Sequence, residues 1–123
     1  MIRNLDIIRG GLAEVWQTQG RKFVTFEAAG RGGSADGPWV QYLDGELNVQ
    51  WNFDDEPAVF LAQRGVALPA GAFVSWYAAG SNAAFGIGDA RIDAVAQFID
   101  ALFRRVLGAQ SGAALVARVD SHG

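Results

Sequence analysis

Residues 39–69 read WVQYLDGELNVQWNF (39–53), DDEP (54–57) and AVFLAQRGVALP (58–69). The first segment alternates about Asp44-Gly45, a dipeptide suited to a type I′ turn because both central residues must adopt φ > 0. A two-residue turn at that point sets Tyr42 opposite Leu47 and Val40 opposite Val49. Side chains alternate along a strand, so these four join Trp51 and Phe53 on one apolar face. Glu46, Asn48, Gln50 and Asn52 fall on the other face, together with Trp39, Gln41 and Leu43. Trp39 and Leu43 are thus large apolar side chains among polar neighbours. Pro57 fits the first turn of a short helix ending near Arg64-Gly65. Asp54, Asp55 and Glu56 stand just before it, where carboxylates complement the free N–H groups and the dipole.

Upstream, Leu5, Ile8, Leu12, Val15 and Trp16 are spaced like one face of a helix over residues 5–19, interrupted by Gly10-Gly11. Phe23–Ala29 reads as a strand that runs into the turn-rich GRGGSADGP ending at Pro38. Downstream, Phe73–Ala79 is a strand, Gly80-Ser81-Asn82 a turn and Ala83–Ile87 a further strand. Asp89 is placed to cap a long helix from Ala90 to Leu107, and Gly108 to stop it. FVTFEAAG (23–30) and FVSWYAAG (73–80) resemble each other, as two strands leading into a turn. The order α-β-β-β-α-β-β-α predicts a two-layer α+β domain over residues 1–108, with a five-stranded antiparallel meander and helices packed on it. Residues 109–123 read as a loosely ordered, dispensable tail with room for one short element at Ala113–Val119.

Composition narrows the function classes. The 123 residues are 50% hydrophobic, enough for one domain with a substantial core. There are no cysteines, which excludes disulfides, thiolate metal sites and thiol catalysis. Ten basic residues are scattered against thirteen acidic ones, so a phosphate-binding stripe for nucleic acid is not expected. No apolar run approaches the ~20 residues of a membrane span, and the start MIRNLDIIRGG lacks a signal-peptide core. A soluble cytoplasmic protein is the expectation.

No catalytic or metal-binding set emerges. The single histidine, His122, stands one residue from the end, a poor place for a preorganised ligand or base. Asp54, Asp55 and Glu56 do not fit the spacing of a calcium loop. Gly30-Arg31-Gly32-Gly33 lacks the Lys-Ser/Thr of a phosphate loop, and Asp89 would repel an anion at the Gly86-Ile87-Gly88 helix start. The five serines have no histidine base in an ordered position and no nucleophile elbow. Neither enzyme nor cofactor is expected.

The four tryptophans remain. Trp16, Trp51 and Trp76 lie on faces expected in the core. Trp39 lies on the polar face, which points to an interface, with Leu43 beside it; the competing explanation is a loop at Gly30–Gly37 folding over it. On the last helix Ile92, Val95, Ile99 and Phe103 make a core stripe that Phe98 and Leu102 widen. That surplus predicts self-association, so Trp39, Leu43, Phe98 and Leu102 are the expected interface residues.

The element order and several segments together resemble the type III secretion chaperone-like fold, closest to its YbjN-like and actinobacterial chaperone-like relatives. The likeness covers residues 5–108. It rests on the aromatic-ended hairpin (Trp39–Tyr42, Leu47–Trp51), the Leu61–Pro69 helix ending and the Leu102-Phe103-Arg104-Arg105-Val106 close. The resemblance implies a small, acidic, non-enzymatic homodimer that holds or regulates a bacterial protein partner along apolar patches. A stand-alone regulatory or immunity-type protein that blocks one folded partner is the alternative.

Overall fold

Asp44 and Gly45 have φ angles of +46° and +83°, as a type I′ turn requires. The hairpin they close joins β2 (Trp39–Leu43) to β3 (Glu46–Trp51). Val40 pairs with Val49 and Tyr42 with Leu47, the register expected from the turn. The computed structural model describes residues 3–28, 37–108 and 114–121. Around the hairpin are α1 (Asn4–Val15), β1 (Lys22–Ala28), α2 (Pro57–Gln63), β4 (Phe73–Ala78), β5 (Ser81–Gly86), α3 (Ile92–Ala101) and β6 (Leu115–Ser121). The domain is α+β, with three helices among the described residues and one antiparallel sheet of six strands in the order β4-β5-β3-β2-β1-β6.

Two features of this topology correct the expected five-stranded meander. Strand β5 lies against β3, with β4 outside it, so the hairpin after α2 folds back onto the sheet centre. The sixth strand comes from the segment expected to be a loose tail, and it pairs with β1 over seven positions from Lys22↔Ser121 to Ala28↔Leu115. Residues 115, 117 and 119 of β6 continue the apolar face, with Leu115 buried beneath α1. Asn4 reaches across to accept a hydrogen bond from the Leu115 N–H at 3.1 Å. Residues 109–113 and 122–123, including His122 and the first residue of the short element proposed at Ala113–Val119, lie outside the described residues, as does the Gly30–Gly33 cluster.

All three helices pack on the same side of the sheet. Ile8, Leu12 and Val15 from α1 and Val95, Ala96 and Ile99 from α3 bury against Val24, Phe26, Val40, Val49 and Phe85. Gly11 is not merely a break in α1. A Cβ there would lie 2.7 Å from Phe26 Cε1 and 3.0 Å from Val24 Cγ2, so glycine lets the helix approach β1 closely. Under α2, Trp51 is fully buried between Phe53 and Phe60, with ring centroids 4.9 and 5.5 Å away. Its indole N–H donates to the Asp55 carbonyl at 3.1 Å.

The last helix departs from its expected start and end. It begins at Ile92 with Arg91 at the N-cap; Asp89 is exposed, ahead of the helix, and does not cap it. Its first-turn Asp93 instead accepts the Arg9 Nε–H at 2.7 Å, linking α3 to α1. Past Ala101 the chain widens into a π-helical turn, Leu102–Val106, closed by the Leu107 N–H on the Leu102 carbonyl at 2.8 Å. The wider turn buries Leu102, Phe103 and Val106 together. Gly108 then ends the helix at φ +74°.

Two adjacent glycines should respond with opposite signs. Gly10→Ala meets open space and should stabilise the protein by up to about 1 kcal/mol through helix propensity. Gly11→Ala should destabilise it by about 1–3 kcal/mol by overpacking against Phe26. Urea denaturation of both variants checks this. In the same assay Leu115→Ala should cost about 2–5 kcal/mol, as truncation of a core leucine does. Removal of residues 109–123 should abolish the cooperative transition, because it strips β1 of a partner strand.

Candidate protein-binding face

The hairpin register sends Trp39, Gln41 and Leu43, with Glu46, Asn48 and Gln50, away from the helices. Neighbouring strands extend this second face. One row crosses all six strands through the pairs Arg118–Thr25, Thr25–Gln41, Gln41–Asn48, Asn48–Ala84 and Ala84–Trp76. A second row runs Leu43–Glu46–Gly86–Phe73, and a third begins Val116–Glu27–Trp39. Among the described residues no helix lies on this side.

Six large apolar side chains stand on that uncovered face: Val116, Phe23, Trp39, Leu43, Trp76 and Phe73. Trp39, Leu43 and Phe23 are half-buried, and residues 30–36 of the loop weighed as a cover for Trp39 lie outside the described residues. Val116 on β6 is 64% exposed, while Phe73 and Trp76 on β4 are 53% and 50% exposed. Three of the five exposed large hydrophobics of the described chain therefore sit at the two edges of one sheet face. The Phe73 ring overlies Gly86, where any Cβ would collide with it, so the aromatic covers a gap in the neighbouring strand.

Trp76 is the correction that matters most here, since it was expected in the core. A bulge between Val74 and Trp76 inserts one residue into β4. Period-two alternation from Val74, which faces Phe85 in the core, would otherwise carry Trp76 inward. With the bulge Trp76 lies opposite Ala84 and faces out.

The other two expected interface residues are elsewhere. Phe98 and Leu102 are 4% and 0% exposed, inside the monomer. Phe98 meets Phe85 edge-on with centroids 5.5 Å apart, and the π-turn draws Leu102 into the core. The surplus apolar surface expected on the last helix is thus absorbed by the fold. The residues that sequence reasoning missed are Phe23, Phe73, Trp76 and Val116. Alternation in Phe23–Ala29 carried the signal for Phe23; Trp76 needed a bulge, and Val116 a strand in the tail.

The polar groups of the open face form their own contacts. Gln41 Nε2 donates to Thr25 Oγ1 at 3.3 Å. At the β6 edge Arg118 pairs with both Glu27 and Asp120, each at 3.3 Å. Glu46 brings the carboxylates on the face to three, against one guanidinium. Among the described residues no buried side-chain nitrogen or oxygen lacks a partner, and no group of three or more His, Cys, Asp or Glu could hold a metal ion. No helix among them is long and apolar enough to cross a membrane. A surface groove beside Trp16 is lined by Glu14, Gln17, Thr18 and Ile92; another, between α3 and residues 65–69, is lined by Val66, Pro69, Phe98 and Ala101. Neither holds a paired nucleophile and base. What the described residues offer is a sheet face with aromatic side chains set among hydrogen-bonding groups.

Tyr42 lies at the inner side of the same hairpin, stacked on Trp16 with centroids 5.1 Å apart. Burial raises its phenol above the ordinary 10.0; a hydrogen bond with the Gly45 backbone opposes this and the Asp44 charge adds to it. The folded protein therefore holds this proton more tightly than the unfolded chain. Its contribution to stability is complete below pH 10.0 and is lost as pH rises through the folded value. Denaturation midpoints followed from neutral pH to beyond 10.0 should fall in the wild type, and Tyr42→Phe should flatten part of that fall.

No family model, curated protein or solved structure matches the chain.

Proposed function

We propose that this protein is a non-enzymatic protein-binding domain of chaperone-like design that works as a homodimer and holds or regulates a polypeptide partner. The observation that supports it is the sheet face that no described helix covers, where six large apolar side chains stand, three of them exposed and three half-buried. Monomeric domains rarely leave such contiguous apolar surface unused. Trp39 and Leu43 supply central anchors, Phe73 and Trp76 a second aromatic pair at one edge, and Gln41, Asn48 and Gln50 the hydrogen-bonding groups between them. The face is rigid, each of its strands held by ladder hydrogen bonds. It suits a folded surface better than a loose chain, which also favours a regulator that blocks one folded partner.

Trp39→Ala and Trp51→Ala separate contact from core. Trp39→Ala should change unfolding free energy by ~1 kcal/mol or less, as surface substitutions do. It should weaken association by about 2 kcal/mol, the scale of an aromatic anchor. Trp51→Ala should cost about 3–5 kcal/mol of folding stability. Denaturation combined with sedimentation velocity reads both quantities. A Trp39→Ala protein that loses stability like Trp51→Ala while associating normally would contradict the proposal.

A further inference from the structure

A second surface lies on the helix side of the domain. Arg91, Ala94, Phe98, Ala101 and Arg105 recur at spacings of three and four, one stripe running from the cap of α3 through its π-turn. Residues 65–71 run beside this stripe. Between the two lie grooves of about 250 Å³ and about 450 Å³ that share Ala94, the two ends of one trough. We propose that this trough binds an extended acidic peptide segment of a partner protein. Its aliphatic side chains lie over Ala94, Phe98 and Ala101, and its carboxylates reach the guanidinium groups at the ends. The inference goes beyond the open sheet face and uses none of its residues.

Charge selects an acidic occupant. Among the described Lys and Arg side chains, only Arg9, Arg104 and Arg118 have a carboxylate partner. Arg64, Arg91 and Arg105, all without one, stand along this trough in a chain of net charge −3. Arg105 Nη1 donates to the Gly65 carbonyl at 3.3 Å, which sets its guanidinium at one end and leaves further N–H groups for a carboxylate. Arg64 stands beside it, its guanidinium 4.5 Å from the Phe60 ring centroid. Two carboxylates of α3 are already engaged, Asp93 by Arg9 and Gln97, and Asp100 by Arg104. Asp89 lines the Arg91 end with its carboxylate against Gly71, so the Arg105 end is the more positive.

The walls select an extended main chain. Among the described residues the N–H and C=O groups of Ala67 and Leu68 make no backbone hydrogen bond. Across the trough Gln97 donates its amide to Asp93, which leaves its carbonyl oxygen free to accept. Phe98 and Val66 are buried beneath while Ala67 and Gln97 are exposed, a shallow apolar floor between polar walls. From Arg91 to Arg105 a helix rises about 20 Å. About six extended residues span that length, so the occupant is a short segment with an aliphatic centre and acidic ends.

Fluorescence anisotropy of the full chain with the peptide fluorescein-Asp-Glu-Val-Leu-Val-Glu-Asp-amide tests this. The wild type should bind it saturably. The Asn/Gln counterpart of the acidic ends, and a peptide with Ser-Ser-Ser at its centre, should each bind about tenfold more weakly. Arg105→Glu should cost about tenfold, and Arg105→Lys, which keeps the charge, should recover most of that loss. Asp89→Asn, at an exposed position that caps no helix, should tighten binding by about threefold. Arg118→Gln and Trp39→Ala, both on the open sheet face, should leave it unchanged. No saturable binding by the wild type, or equal losses in Arg105→Glu and Arg118→Gln, overturns the inference and leaves the reading of the open face untouched. Binding lost in Trp39→Ala but kept in Arg105→Glu overturns it as well, by placing the peptide on the sheet. Self-association that fails while this binding pattern holds counts against the open face alone.

Discussion

The positive φ angles of Asp44 and Gly45 decide which side chains of the central hairpin face the helices and which face away. A slip of one residue would reverse every assignment, sending Tyr42, Leu47, Val49 and Trp51 into water. Because β1 and β5 pair directly with the two hairpin strands, they inherit the same partition, and β6 and β4 take it from them in turn. The core under α1 and α3 and the uncovered apolar face are two results of one turn.

The two faces are stabilised differently. Inside, close approach matters more than polar chemistry: glycine at position 11 lets α1 settle onto Phe26, and Trp51 is enclosed by two phenylalanines and one carbonyl. Outside, Trp39, Leu43 and Phe23 are half-buried while Phe73 and Trp76 on β4 and Val116 on β6 are exposed. The exposed ion pairs of Arg118 with Glu27 and Asp120 add little to folding at such positions. They do mark the β6 edge as charged where the β4 edge is aromatic.

The parts of the fold legible in the sequence were those governed by local rules. Turn chemistry gave the hairpin register, Pro57 the start of α2, and helical spacing the buried side of α1. Long-range effects were not legible. The bulge at Ser75 has no distinctive residue, yet it moves Trp76 from the core to the open face. Strand β6 follows a glycine- and alanine-rich segment, and its alternation of Leu115, Ala117 and Val119 with Val116, Arg118 and Asp120 acquires its role only through the long-range pairing with β1. The breadth of the α3 apolar surface was legible, but its use was not: the π-turn and Phe85 place Phe98 and Leu102 inside the monomer. Half of the expected interface, Trp39 and Leu43, sits on the exposed face because it depended only on the turn.

The proposed homodimer requires that the open sheet face be the surface on which two copies of the chain meet. Nuclear magnetic resonance of the labelled wild-type chain, recorded over a dilution series, tests this without altering a residue. The indole N–H signals of Trp39 and Trp76 and the methyl signals of Leu43 and Val116 should move together with concentration, while those of Ile8, Leu102 and Ile99 stay fixed. Spectra that do not change with concentration, or changes confined to the solvent side of α1 and α3, would contradict it.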